Sequence, residues 1–264
     1  MNQTYETLLT ETIGAHLLKV TLNRPEVGNA KNTQMGLDLL DLWTRLIDDP
    51  EDIRCVILTG AGDRIFCSGG DLKQRKTLTT KQWTHQHEIF ERGRDALLEC
   101  PVPVIAAING HAYAGGLESL LVCDFAYAVS TARFALTEVT IGIMPGGGGT
   151  QTLARRVGEA RAKEIILTGK PFSARQALEW GVINRICEPG TLMDAVMETA
   201  QAICDNAPLS VRQAKKSIHQ GLQMDLKRGL MFEIEAYNRL VDTEDRREGV
   251  LAFNEKRKPV FKGR

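Results

Sequence analysis

Glu118 and Glu138 stand 20 residues apart, and each interrupts apolar sequence. Glu118 lies between Leu117 and Ser119-Leu120-Leu121-Val122, and Glu138 between Phe134-Ala135-Leu136-Thr137 and Val139. A carboxylate in such surroundings is paired or functional, because burying it alone is costly. Two glycine pairs precede them: Gly69-Gly70, just before Asp71, and Gly115-Gly116, at the start of a predicted helix. Glycine lets the backbone approach a ligand closely. The first amides of a helix have no intrahelical acceptor and sit at the positive end of its dipole. One amide from Gly70 and one from Gly115 would hold developing negative charge on an oxygen, and nearby carboxylates would move protons. That combination predicts chemistry on a carbonyl. Local alternatives stand beside it. Glu118 could serve only the helix dipole, Glu138 could pair with Arg133 or Arg155, and the glycines could be turns.

The elements that must carry these residues follow from periodicity and punctuation. Buried strands are expected over 16–22, 53–59, 104–108, 125–129, 133–136 and 182–186. Helices are expected over 34–48 with Thr33 as cap, over 82–99, from Gly115 onward, and over 150–157, 159–167 and 174–180. Further helices are expected over 192–205, 211–220 and 226–241. The segment from Phe66 to Leu72 reads as a loop. Alternation of strand and helix predicts a largely parallel α/β core. Asn206-Ala207-Pro208 is the best break, dividing a core over 1–205 from an all-helical region over 206–264.

Composition narrows the function classes. The 264 residues hold 33 Lys and Arg against 33 Asp and Glu, without the basic excess expected of a duplex-binding protein. The basic stretch Arg212–His219 is expected to be a solvated helix face rather than an RNA site. No apolar run approaches the ~18–20 residues that span a bilayer, and the first residues lack a basic signal region. Six cysteines show neither CxxC nor a metal-ligand spacing and are expected as buried free thiols. Gly146–Gly149 lacks the lysine of a phosphate loop, and no GxGxxG opens a helix. His111 is expected to be satisfied by backbone or water. Trp43, Trp83 and Trp180 are expected to be packing residues.

The ordered set of short motifs resembles a crotonase-type enoyl-CoA hydratase/isomerase. It includes Asn23-Arg24-Pro25 with Asn29-Ala30, Phe66-Cys67-Ser68-Gly69-Gly70-Asp71-Leu72, and Pro103-Val104-Ile105-Ala106-Ala107-Ile108-Asn109-Gly110. It continues through Gly115-Gly116-Leu117-Glu118, Cys123-Asp124, Glu138 and Gly147-Gly148-Gly149-Thr150-Gln151 to Arg247-Glu248-Gly249 and Phe253-Asn254-Glu255-Lys256-Arg257. The resemblance implies a crotonase-type ββα spiral core with a C-terminal helical region used for oligomerisation. It implies Glu118 and Glu138 as the catalytic pair and the Gly70 and Gly115 amides as the oxyanion hole. Ser68, Gly69, Asp71, Leu72 and Lys73 would lie beside the coenzyme A portion, with Tyr237 and Lys256 reaching it from a neighbouring subunit. Coenzyme A would then be part of the substrate, with no metal and no separate cofactor. The implied assembly is a homotrimer or a homohexamer of stacked trimers, working in the cytoplasm on acyl-CoA degradation, without nucleic-acid or membrane partners.

Within that resemblance, both glutamates together point to reversible syn addition of water to a 2-enoyl-CoA, giving a 3-hydroxyacyl-CoA. The tail around Gln220-Gly221-Leu222 is similar to methylglutaconyl-CoA and carnitinyl-CoA-type hydratases. Two positions depart from the common pattern: Thr137 stands where several hydratases have proline, and Gly70 where many have alanine. The rival readings are a double-bond isomerase, another acyl-CoA lyase or hydrolase of this type, and an RNA-binding or non-catalytic CoA-binding protein.

Overall fold

The computed structural model describes residues 4–264. The chain opens with an antiparallel hairpin, β1 (Leu8–Ile13) and β2 (Leu17–Leu22), followed by α1 (Thr33–Asp48). Asn32, not Thr33, caps α1 by accepting from the Met35 amide. From there the chain winds in turns of one long strand, one short strand and helix. The first turn is β3 (Cys55–Gly60), β4 (Ile65–Cys67), the short α2 (Leu72–Arg75) and α3 (Thr80–Glu99). The second is β5 (Val104–Ile108), β6 (His111–Tyr113) and α4 (Gly115–Val122). The third is β7 (Phe125–Val129), β8 (Arg133–Ala135), a 3-10 turn at Glu138–Ile141 and then α5 (Gly149–Val157).

The remaining elements are α6 (Glu159–Thr168), β9 (Phe172–Ser173), α7 (Ala174–Glu179), β10 (Arg185–Cys187) and α8 (Leu192–Cys204). Three helices close the chain: α9 (Pro208–Gly221), α10 (Leu226–Asn238) and α11 (Glu244–Asn254). The long strands and the three-residue β10 form a six-stranded sheet in the order β1-β2-β3-β5-β7-β10, parallel beyond the opening hairpin. The short strands form a second sheet, β4-β6-β8-β9, antiparallel only at β9. Strands β3 and β5 are buried along their whole length, as a parallel sheet covered on both faces requires.

Of the second sheet, sequence reading expected only β8, at 133–136, and passed over β4, β6 and β9. Its strands are two or three residues long, too short to show a period of two. Side chains rather than strand length hold its corners. The Asn29 amide donates to the Ala61 and Ile65 carbonyls, and Asn109 donates to Gly60 and Gly62 while accepting from the Gly60 amide. Arg24 donates to the Ala30 carbonyl and pairs with Asp71 at 2.9 Å. These asparagines and this arginine, which carried much of the family resemblance, are loop staples.

All six cysteines are free and buried; burial pushes the Cys123 thiol up to about 12. The basic stretch on α9 is only partly the solvated face expected. Lys215 pairs with Asp124 at 2.7 Å and donates to the Val102 carbonyl, and Arg212 donates to Ile53. Those two cations tie α9 to the first sheet. The expected end of the α10 helix at 241 falls back to Asn238, and α11 follows it without having shown an apolar period. Among the described residues no helix is long and apolar enough to cross a membrane.

Candidate active site

The Gly69-Gly70 loop and the start of α4 meet through a set of backbone contacts. Lys31 donates its amide to the Gly69 carbonyl at 2.8 Å and accepts from the Asp71 amide at 2.9 Å, which leaves the Gly70 amide between them unengaged. The Lys31 ammonium crosses to α4, donating to the Gly115 carbonyl at 2.9 Å and to the Ser119 hydroxyl. A side chain built on Gly115 would start 3.8 Å from the Gly70 nitrogen, so the two amides lie side by side. Among the described residues neither amide has an acceptor.

Two features fix the Gly115 amide. Ala114, just before it, has φ +48° and ψ −125°, a conformation that L-residues rarely adopt and that costs about 1–3 kcal/mol. Its own amide donates to Ala135 at 2.8 Å, holding the turn against β8. Gly116 then packs on β4 so closely that a Cβ there would overlap the Cys67 carbonyl oxygen and lie 2.8 Å from its carbon. Gly69, with φ +100°, passes Ala114 at a distance that leaves no room for a side chain of its own.

Glu118 is one turn into α4 and 6% exposed. Its Oε1 accepts from the Gly147 amide at 2.8 Å and the Gly149 amide at 2.9 Å, at the N-terminus of α5. The Gly146–Gly149 run therefore engages a carboxyl group after all, and that group is a side chain of the same protein. Its Oε2 lies 3.9 Å from where a Gly115 side chain would start, on the side of the free amides. The helix-dipole alternative for Glu118 is thus half right, with the dipole of α5 added to that of α4.

Glu138 has the opposite surroundings. It is 7% exposed, its Oε2 has no hydrogen-bond partner, and neither Arg133 nor Arg155 pairs with it; Arg155 donates to Gln151 instead. Burial pushes its carboxyl up from 4.5 to about 7, and the neighbouring Glu118 charge adds to that; its own amide and Arg75 pull the other way. Two carboxyl groups are thereby placed in one pocket in unlike surroundings, Glu118 engaged by two amides of the α5 N-terminus and Glu138 with one oxygen left without a partner.

A cavity of about 550 Å³ opens on both glutamates and both amides. Its far side is made by α1 and α3, with Leu39, Trp83, His87, Phe90 and Leu97 among its walls. Trp83 is therefore more than packing: the Arg75 guanidinium lies over its ring, 4.6 Å from the centroid. Of the expected coenzyme A contacts, Ser68 and Leu72 line this cavity. The Asp71 side chain is committed elsewhere: it pairs with Arg24 and caps α2 through the Gln74 amide. Burial alone would raise its carboxyl, and those two partners outweigh it and hold it below its ordinary value. Lys73 is exposed on α2, while Tyr237 and Lys256 are exposed on and beyond the tail helices, away from the cavity of their own chain. His111 accepts from the Arg133 amide, as a backbone-satisfied histidine should. Sequence reading gave no role to Lys31, Arg75, Gly147 or Gly149; the Gly-rich run after Pro145 was the one signal for the last two.

No group of three or more His, Cys, Asp or Glu is placed to hold a metal among the described residues. Two sheets wound from ββα turns, with a pocket where the short strands meet the helices, define the crotonase fold. The chain belongs to the enoyl-CoA hydratase/isomerase family, whose sequence pattern matches residues 12–264. It is 41% identical to the short-chain-enoyl-CoA hydratase of Clostridium acetobutylicum, over 90% of this chain and 91% of that one. It is 39% identical to the (E)-benzylidenesuccinyl-CoA hydratase of Thauera aromatica, over 97% and 99%. The crystal structure of enoyl-CoA hydratase from Bacillus anthracis superposes with a TM-score of 0.95 at 40% identity, covering 98% of this chain and all of that one.

Proposed function

We propose that this protein is an enoyl-CoA hydratase, a hydro-lyase that adds water reversibly and syn across the 2,3 double bond of an enoyl-CoA thioester. The observation that carries the reading is two unlike carboxyl groups facing two unengaged backbone amides in one cavity. The thioester oxygen sits between the Gly70 and Gly115 amides. Glu118 Oε2 takes a proton from water as the water oxygen bonds to C3. The π electrons move toward the thioester oxygen, where the two amides hold the enolate charge. Glu138 then delivers its proton to C2, and a proton passed back through water or solvent resets the pair. Fixed amides favour the transition state over the substrate, and each is worth roughly 2.7–4 kcal/mol by analogy with other oxyanion holes.

Coenzyme A enters as part of the substrate, and no metal has a role in these steps. Four apolar residues of α10, Leu226, Leu230, Met231 and Ile234, are 52–79% exposed in the single chain. That exposure supports a helical region over 206–264 that docks on other copies of a core over 1–205, in a homotrimer or a homohexamer. Tyr237 and Lys256 would then face a neighbour's nucleotide. Six unpaired thiols agree with a reducing cytoplasm.

A hydration assay over a panel of enoyl-CoA thioesters tests the reading, with Glu118→Gln and Glu138→Gln as companions. Each variant should lose roughly 10²–10⁴-fold in kcat. A folded wild-type protein that hydrates none of the panel would overturn it.

A further inference from the structure

Hydration as derived above gives no role to Arg75, a cation of the cavity wall that, unlike Arg94, has no carboxylate partner among the described residues. Arg75 closes α2, half-buried, and its guanidinium is held from behind. Its Nε donates to Gln86 Oε1 at 3.0 Å, and its plane rests on Trp83, with Phe90 at 5.8 Å. Gln86 is itself fixed: it is buried and donates to the Thr33 hydroxyl and to Gln74 Oε1, both at 2.8 Å. The two outer nitrogens, Nη1 and Nη2, have no acceptor among the described residues, and Arg75 lines the cavity. Among the described residues no carboxylate lies within ion-pair distance of it. Burial lowers the pKa of Arg75, and the charges of Glu118 and Glu138 pull it back up.

The departure at position 70 belongs to the same arrangement. A Cβ on Gly70 would stand 3.1 Å from the Arg75 Cζ and 3.2 Å from Nη1. The missing methyl gives the guanidinium a few tenths of an ångström more room beside the proposed oxyanion site. A saturated hydrocarbon acyl chain filling this cavity would cover Nη1 and Nη2 and leave them unpaired, which is expensive for a charged donor. A carboxylate or a phosphate matches two parallel N–H donors, and of the two a carboxylate is the one an acyl group can carry into this cavity.

Building on the hydratase reading, we propose that the acyl group of the preferred substrate carries a carboxylate, held by Nη1 and Nη2 of Arg75. The substrate class is the single CoA thioester of an unsaturated dicarboxylic acid. Because Arg75 stands next to Gly70, that carboxylate lies only a few bonds from the thioester. Arg75 is then a specificity-determining residue, and Trp83 and Gln86 position it.

Affinity for unreactive saturated thioesters tests this independently of turnover. Glutaryl-CoA is compared by calorimetry with its isostere in which an isopropyl group replaces the carboxylate, using wild type, Arg75→Gln and Arg75→Lys. Wild type should favour glutaryl-CoA by about 10–100-fold, the ratio expected of a paired charged hydrogen bond. Arg75→Gln should abolish the preference and Arg75→Lys should keep part of it. Equal affinities in wild type would overturn the proposal, and so would an unchanged preference in Arg75→Gln. Should the variant fail to fold, the wild-type ratio alone decides. Loss of the hydratase reading would show separately, as a chain that binds these thioesters but hydrates no enoyl-CoA.

Discussion

The two sides of the cavity are built from different materials. On the side of β4, β6 and α4, the working groups are backbone amides, and glycines set their positions: Gly116 against Cys67, Gly69 against Ala114, Gly147 and Gly149 on Glu118. On the side of α2 and α3, the working groups are side chains resting on other side chains, with Arg75 on Trp83 and Gln86. Backbone contacts without slack give one geometry for every substrate. A wall of side chains can be rewritten one residue at a time. The first side should therefore govern rate with any thioester, and the second should govern which thioester is accepted.

The heaviest blow to that contrast is Gly116→Ala. The added methyl overlaps the Cys67 carbonyl and cannot be relieved by a flexible side chain, because both partners are backbone at the junction of β4 and α4. Stability should fall by about 3 kcal/mol, the upper range of overpacking, read as the urea midpoint. Hydration of every thioester should fall by the same factor. Rates that fell for some thioesters and not for others would break the division between the two sides.

Next comes the bare carboxyl. With its pKa raised from 4.5 to about 7, Glu138 is protonated in both folded and unfolded chains at low pH. Between those values only the unfolded chain has lost the proton, so the contribution is full below 4.5 and lost as pH rises through about 7. Its full size is about 3 kcal/mol. Denaturation across that range should show Glu138→Gln gaining on wild type as pH rises. Hydration should lose rate above about pH 7 and dehydration below it, since one direction needs the proton and the other needs the vacancy.

How much of this was legible in the sequence follows the same divide. Glu118, Glu138, Gly70 and Gly115 stand out because a charge or a paired glycine inside apolar sequence is a local anomaly. β2, β3, β5 and β7 were readable because their apolar runs are five or six residues long, whereas β1, with its Thr-Glu-Thr interior, was not expected. Of the second sheet only β8 was readable, since the corners around β4 and β6 are held by Asn29 and Asn109 from far along the chain. Arg75 was unreadable for a related reason. One arginine in a polar segment looks like surface, and only its contacts with Trp83, Gln86 and Gly70 give it a place. The Gly146–Gly149 run was seen, yet its ligand, Glu118, is a residue 29 positions earlier.

A smaller effect comes from the side-chain wall. Trp83→Leu removes the ring under Arg75 and with it a cation–π contact worth about 0.5–1 kcal/mol. The melting temperature should drop slightly, and the preference for glutaryl-CoA over its apolar isostere should shrink severalfold as Arg75 loses its fixed place. A matching drop in affinity for both ligands would instead make Trp83 a general wall of the acyl site and blur the distinction between the sides.

A stability change of similar size and opposite sign is expected at Ala114. Its left-handed backbone costs about 1–3 kcal/mol, which Ala114→Gly would release, while the added freedom of the unfolded chain takes back about 0.5–1 kcal/mol. The variant should therefore be more stable by about 1 kcal/mol. Strain at this point has one evident product, the direction of the Gly115 amide, because Ala114 is pinned to Ala135 behind it. A glycine there lets the peptide rotate, so kcat should fall with all thioesters alike although the protein has gained stability. Stability and rate moving in opposite directions would identify the strained residue as part of the backbone wall's function. An unchanged kcat would shift that duty wholly to the contact between Gly116 and Cys67, leaving Ala114 as the one part of that wall with slack.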